Sequence, residues 1–342
     1  MKKAVALIEL TSPNYVGQNP IALNYIKTFN YYWTKTPKFV TFEIVDNKSD
    51  INYTVAKLEE YYNNGYRIFF GPLASSLILD AYNNWFKFKP DAIGITPVAK
   101  TTQLSIPKNI YRLDPGNYNF LGYIYNHIPS PTSRIFYVYT SGQIGTGDLL
   151  TLLRASTHEV VELAIPQNSS NLNVSSLVNY FNGNSITNND IVITFFIGGT
   201  GQSTYVNLFN DSQLQHVPIQ YDVSTKFPAM NKVNPPTYLY DKYNVIILDG
   251  INTTELLDVG KKDLSNSYGI NGLSSLYLIT HLANNKSIDT ISSCGESLLW
   301  FNENNDLKYW SYTNYLYKSS GFVETNIYLN DPKFGLITFN RK

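Results

Sequence analysis

Apolar and polar positions along the chain switch repeatedly between a strand-like and a helix-like period. Residues 3–10 form a nearly continuous apolar run, the pattern of a buried strand, interrupted by Glu9 before a loop at Thr11-Ser12-Pro13. Asn19-Pro20 reads as an N-cap with proline at the first helical position. Ala22, Ile26, Phe29 and Trp33 then recur at spacings of four, three and four, which predicts an amphipathic helix. A second strand is predicted at residues 38–45. Asp50 caps a further helix, with Val55, Leu58 and Tyr62 on one face and Gly65 at its stop. A short strand at 67–70 runs into Gly71-Pro72-Leu73-Ala74-Ser75-Ser76, which opens a helix through Ala81 and Trp85. Two more strands are predicted at 92–96 and 109–113. This βαβα order implies a parallel sheet with helices on both faces.

The pattern then restarts. Strands are predicted at 134–139, 160–165 and 191–197, with helices at 145–155, 174–182 and 203–209. Further strands fall at 218–221 and 245–248, a helix at 272–282, and residues 298–342 read as mostly extended with polar turns. Two successive α/β units fit a chain of 342 residues, since domains average about 150 residues. No short-period repeat or low-complexity linker separates them.

Composition narrows the partners. Twenty-six Lys and Arg balance 26 Asp and Glu, so formal net charge is zero. Only 15% of residues are charged, against about 25% in typical chains. Polarity comes instead from Asn, Ser, Thr and 28 Tyr, while 43% hydrophobic residues suffice for a sizeable core. Balanced charge gives no general attraction to nucleic acid or anionic membrane, so neither is expected as a partner. No apolar run approaches the roughly 18 residues of a membrane span. One cysteine, Cys294, excludes an internal disulfide and a Cys-based zinc site. Glu9 breaks the apolar run that a signal peptide would need, so the start reads as a strand of the fold itself. Either a leader has been removed or the protein stays inside the cell. Low charge suits an exterior setting, and AT-rich codon usage gives the same look. Seven Asn-x-Ser/Thr matches are about what 39 Asn give by chance.

Catalytic chemistry finds no support. The four histidines, His127, His158, His216 and His281, are isolated in sequence, so no metal site is expected. There is no G-x-S-x-G elbow, no G-x-x-x-x-G-K-[ST] loop, and no His near Cys294. Gly199-Thr200-Gly201-Gln202-Ser203-Thr204 follows a strand and opens a helix, with Asp222 about twenty residues on. Thr204 stands where a dinucleotide fingerprint has its third glycine, so no nucleotide cofactor is expected. Gly142-Gln143-Ile144-Gly145-Thr146-Gly147-Asp148 lacks a phosphate-binding Lys and reads as a tight βα turn. No catalytic residue, metal or cofactor is assigned.

The order of motifs resembles a known family. Asp46-Asn47-Lys48-Ser49-Asp50, a helix, a short strand and Gly71-Pro72-Leu73-Ala74-Ser75-Ser76 are similar to the first lobe of type I periplasmic binding proteins. That group includes the branched-chain amino acid, urea and short-chain amide binding proteins. The segments from Thr96 to Ser105 and from Asn109 to Gly116 resemble the family's path to its first crossover. The Arg134 strand, the stretch from Asp190 to Gly201, and Trp300 to Leu307 continue the likeness over nearly the whole chain. The resemblance implies two Rossmann-like lobes with parallel sheets joined by several hinge crossovers. Lobe 1 would comprise 1–118 plus 246–306, and lobe 2 119–245 plus 307–342.

It also implies that a small polar ligand sits beyond the strand carboxyl ends, where two hinged lobes close on it. Ser75, with Ser76 beside it, matches the loop Ser that bonds the ligand's carboxylate or amide. The next loop supplies backbone and hydroxyl contacts at Pro97, Val98 and Lys100. Amino-acid binders usually carry Thr where Lys100 stands. This lysine either binds a carboxylate as a point charge or extends to solvent at the pocket edge. In the second lobe, Gly199-Thr200 resembles the Gly/Thr-rich loop of the amide-binding branch. Tyr221-Asp222 lies near the acid that meets a ligand ammonium, with an ordinary post-strand turn as the alternative. Tyr15 would form an aromatic wall.

The function implied is non-enzymatic, extracytoplasmic capture of an amino acid, amide or urea-like solute for ABC-type uptake, with a permease as partner. The alternatives are a cytoplasmic or signalling ligand sensor of the same fold, a nucleotide-cofactor enzyme, and a surface protein without ligand.

Overall fold

Strand β1 (Lys2–Ile8) alternates its side chains between two buried faces: Ala4, Ala6 and Ile8 join one core, Val5 and Leu7 the other. Burial on both sides is what makes its sequence continuously apolar. The computed structural model describes residues 2–13, 17–33, 40–99, 101, 103, 109–114, 130–166, 174–195, 216, 218, 220–222, 237, 240–249, 267–284, 291–294, 297–300, 310–331 and 335–340. The chain divides into two compact units. The first holds Met1–Gly116, Asp249–Ser311 and Leu329–Ile337, the second Asn117–Leu248, Tyr312–Tyr328 and Thr338–Lys342.

In the first unit, β1 pairs in parallel with β2 (Val40–Asp46) and β3 (Tyr66–Phe70), and β4 (Ile93–Thr96) and β5 (Ile110–Arg112) extend the sheet. The order is β2-β1-β3-β4-β5. Helix α1 (Pro20–Trp33) starts as predicted, with the Asn19 side chain accepting the Ile21 N–H at 3.0 Å. Helix α2 (Ile51–Asn63) is capped by Asp50, which accepts the Tyr53 N–H at 2.7 Å, and ends before Gly65. Helix α3 (Ser75–Asn84) follows β3.

The two faces of this sheet carry separate cores. On one, Tyr25 and Phe29 of α1 meet Phe70 of β3, with the Phe29 and Phe70 rings 4.8 Å apart and edge-on at 80°. Leu276 and Ile279 of a later helix, α6 (Ser267–Ala283), complete it. On the other, Trp85 and Phe86 pack on Phe69, and the Trp85 Nε1–H donates to Glu59 at 2.7 Å. Burying each such aromatic contributes about 1.5–3 kcal/mol. The sequence places the start of α6 at 272, five residues late. Gly269, Asn271 and Gly272 weaken the local helical signal. Tertiary packing overrides it: a Cβ on Gly272 would lie 3.1 Å from Thr28 Cγ2, so glycine sets the close approach of α6 to α1.

The second unit repeats the plan. Strands β6 (Ile135–Ser141), β7 (Val160–Pro166), β8 (Ile191–Phe195), β9 (Gln220–Asp222) and β10 (Tyr243–Asp249) are parallel, in the order β7-β6-β8-β9-β10. Helices α4 (Ile144–Arg154) and α5 (Val174–Gly183) connect the early strands, and Leu149, Leu153, Leu177 and Phe181 bury their inner faces. Beyond β10 the sheet gains β13 (Trp310–Lys318), β14 (Gly321–Asp331) and β15 (Gly335–Asn340), the extended tail that the sequence anticipates. A hairpin of β11 (Ile291–Cys294) and β12 (Ser297–Trp300) was not anticipated as a pair. The helix predicted at 203–209 lies outside the described residues.

Candidate functional site

In open α/β sheets, ligands sit beyond the strand carboxyl ends where the strand order reverses. In the first unit that point is between β1 and β3. It is framed by the segment leaving β1 and by residues 71–74 entering α3, and both are fixed by identifiable groups.

Glu9, directly after β1, is only 4% exposed. Both of its carboxylate oxygens accept the Leu73 N–H at 3.0 Å, and one also accepts the Ala74 N–H at 2.9 Å. Burial pushes its pKa above the ordinary value, against the pull of the Ala74, Leu73 and own backbone N–H groups and the Asn47 side chain. Ala74, the N-cap of α3, offers no side-chain cap, so Glu9 fixes this entry from a different strand. On the other flank, the Gly71 N–H donates to the Ile95 carbonyl of β4 at 2.8 Å. Gly71 has φ +84° and precedes a cis peptide to Pro72, and a Cβ there would drive into the Leu7 carbonyl. Only glycine allows β1 and this turn to approach so closely.

Asp46 organises the segment leaving β1. Its carboxylate accepts the Thr11 hydroxyl at 2.6 Å and the backbone N–H groups of Thr11, Leu10 and Lys48 at 3.0, 3.1 and 2.9 Å. Desolvation raises its pKa, but these bonds together outweigh that and hold it below the ordinary value. The Ser49 hydroxyl closes the ring by donating to the Thr11 carbonyl at 3.0 Å.

Four of the expected site residues follow the neighbouring strands β3 and β4 in the chain. Ser75 is the first residue of α3 and half-buried, and Ser76 beside it is exposed. Pro97 is buried, and Val98 is half-buried against the first core. In the second unit, Tyr221 and Asp222 are the last two residues of β9, with Asp222 in register with Thr194 and Val245. Asp222 is therefore the last residue of the strand, one position past the predicted end at 221. Tyr15, Lys100, Gly199 and Thr200 lie outside the described residues.

Sequence reasoning missed Glu9 and Asp46 as organisers of the site. It also missed Thr96 and Thr194, whose hydroxyls are fully buried near the carboxyl ends of β4 and β8 and have no hydrogen-bond partner among the described residues. Of the glycine-rich stretch at 142–148, Gly142 and Gln143 make a tight βα turn and the rest opens α4, with the Thr146 hydroxyl donating to the Thr140 and Gln143 carbonyls at 2.6 and 3.0 Å. Among the described residues no group of three or more His, Cys, Asp or Glu could hold a metal ion, and no helix is long and apolar enough to cross a membrane.

No protein-family model matches the sequence, and no curated protein matches it. Solved structures do match in fold. A leucine-binding protein from Thermotoga maritima superposes with a TM-score of 0.70 at 11% identity, covering 96% of this chain and 98% of its own. A solute-binding protein of an ABC transporter from R. palustris, in complex with benzoate, has a TM-score of 0.71 at 12% identity, with 99% and 98% covered. A leucine-, isoleucine-, valine-, threonine- and alanine-binding protein from Brucella ovis in its closed conformation gives 0.71 at 11% identity, with 99% and 95% covered.

Proposed function

We propose, from the type I periplasmic-binding-protein fold that this chain has, that it is a non-enzymatic, extracytoplasmic solute-binding protein. It takes an amino acid, an amide or a urea-like molecule at the carboxyl ends of its parallel strands and delivers it to an ABC-type permease. The observation that carries this reading is the whole-length likeness to solute-binding proteins, on a chain whose two larger sheets each contain five parallel strands in the 2-1-3-4-5 order. The Glu9 and Asp46 hydrogen bonds that fix the chain at the β1–β3 switch point support it locally. The ligand contacts assigned are Tyr15, Ser75, Ser76, Pro97, Val98 and Lys100 from the first half of the chain, and Gly199, Thr200, Tyr221 and Asp222 from the second. The lobes are assigned as 1–118 with 246–306, and 119–245 with 307–342.

Thermal unfolding across a panel of amino acids, amides, ureas, polyols, nucleosides and aromatic acids tests the reading. Binding only the folded state stabilises it, by about 2.7 kcal/mol at a hundredfold excess over Kd, so at least one compound raises Tm by several degrees. A panel without a single shift removes solute capture.

A further inference from the structure

Glu9 is the chain's own anion at the crevice between β1 and β3. Its carboxylate faces the Leu73 and Ala74 N–H groups that lead into α3, so the positive end of that helix already has a negative charge beside it. Ser75, the residue expected to meet the ligand, follows directly in the chain. All the partners of Glu9 among the described residues are donors, from backbone N–H groups and the Asn47 amide, with no basic side chain among them. The N–H bonds stabilise the ionised carboxylate against the burial that disfavours it. Its charge is solvated by dipoles and left without a counter-cation there.

We propose, on the reading that this chain captures a small solute, that Glu9 is a specificity-determining residue. The first unit takes an uncharged amide or urea group, or a cationic amidinium or ammonium, and rejects a carboxylate at residues 71–76. The anion that a helix entry of this kind would attract is supplied by the protein, and a second one meets like-charge repulsion in a poorly solvated place. Selectivity then arises from a repulsive element as well as from contacts to the favoured group.

Matched ligands test this. Benzoate, benzamide and benzamidine share one ring and differ at one group; acetate with acetamide, and leucine with leucinamide, repeat the comparison on other frames. Calorimetric titration of the full chain near neutral pH is expected to rank the amide or amidine at least about tenfold above its carboxylate, about 1.4 kcal/mol, in every set that gives heat. Glu9→Gln narrows the ratio to within about threefold, or 0.7 kcal/mol, while Glu9→Asp keeps it. If the Gln variant does not fold, the wild-type ranking and the Asp variant still decide. A carboxylate that binds wild-type protein as tightly as its amide overturns the role of Glu9 and leaves solute capture standing. No heat from any of these compounds, together with a thermal panel without shifts, removes capture itself and the inference with it.

Discussion

Arg134 and Asp190 form an ion pair of 2.8 Å across the amino-terminal ends of the neighbouring strands β6 and β8. Asp190 is 3% exposed and also accepts the Arg134 backbone N–H at 3.1 Å and the Thr187 N–H at 2.7 Å. The guanidinium donates in turn to the Asn184 and Ser185 carbonyls, each at 2.8 Å. One carboxylate thereby locks the turn before β8 to the start of β6. This end of the sheet is opposite the one where α/β folds bind ligands, so the pair is a structural latch.

Removing one partner of such a pair leaves the other charge poorly compensated. Asp190→Ala is expected to destabilise the protein by about 2–4 kcal/mol in urea unfolding, and Asp190→Asn by less. Ligand affinity of the folded variant stays at the wild-type value. A loss below about 0.5 kcal/mol would remove the latch from the account.

The carboxylates around the first unit's crevice give stability opposite dependences on pH. Asp46 has a lowered pKa, so its contribution is fully present above the ordinary value of 3.8 and disappears as pH falls through the lowered one. Glu9 has a raised pKa, so its contribution is present below the ordinary 4.5 and is lost as pH rises through the raised one. Unfolding free energies measured against pH are expected to show a shallower acid loss in Asp46→Asn. In Glu9→Gln the decline above pH 4.5 flattens. An unchanged slope in both variants contradicts the assignments.

Two glycines with the same backbone sign separate strain from crowding. Gly65 has φ +86° with open space around it, so Gly65→Ala costs only the left-handed strain, about 1–2 kcal/mol. Gly71 has φ +84° and sits against the Leu7 carbonyl, so Gly71→Ala must also move β1 or the turn. It is expected to lose more than about 3 kcal/mol, or not to fold. Equal losses in the two variants would show that the close approach at Gly71 carries no stability.

Ser75 is assigned to the ligand and half-buried at the start of α3. Ser75→Ala is expected to weaken the best panel ligand about tenfold in calorimetry while changing stability by less than about 1 kcal/mol. An unchanged Kd moves the contact to another residue.

Much of the fold is legible in the sequence because local and tertiary signals agree. Burial on both faces gives β1 and β6 unbroken apolar runs, and Asn19-Pro20 and Asp50 mark helix starts by capping chemistry that the structure reproduces. The first turns of α6 were hidden because glycine there serves packing against Thr28 rather than helix propensity. The positions of Ser75, Ser76, Pro97 and Val98 after β3 and β4 were legible because the strand order is recognisable. Glu9 was visible as an acid in an apolar run, but its partner Leu73 is 64 residues away, and no local pattern announces such a contact. Asp46 bonds Thr11 across 35 residues and was hidden for the same reason.

A high-resolution crystal structure of protein purified without refolding, grown with the strongest ligand of the thermal panel, tests solute capture most directly. The account predicts one small polar molecule at the carboxyl end of the first unit's sheet, within hydrogen-bond distance of Ser75 and with no carboxylate facing the segment from Gly71 to Ser76. Strand ends filled by the protein's own side chains, with the compound absent or bound elsewhere, would contradict it.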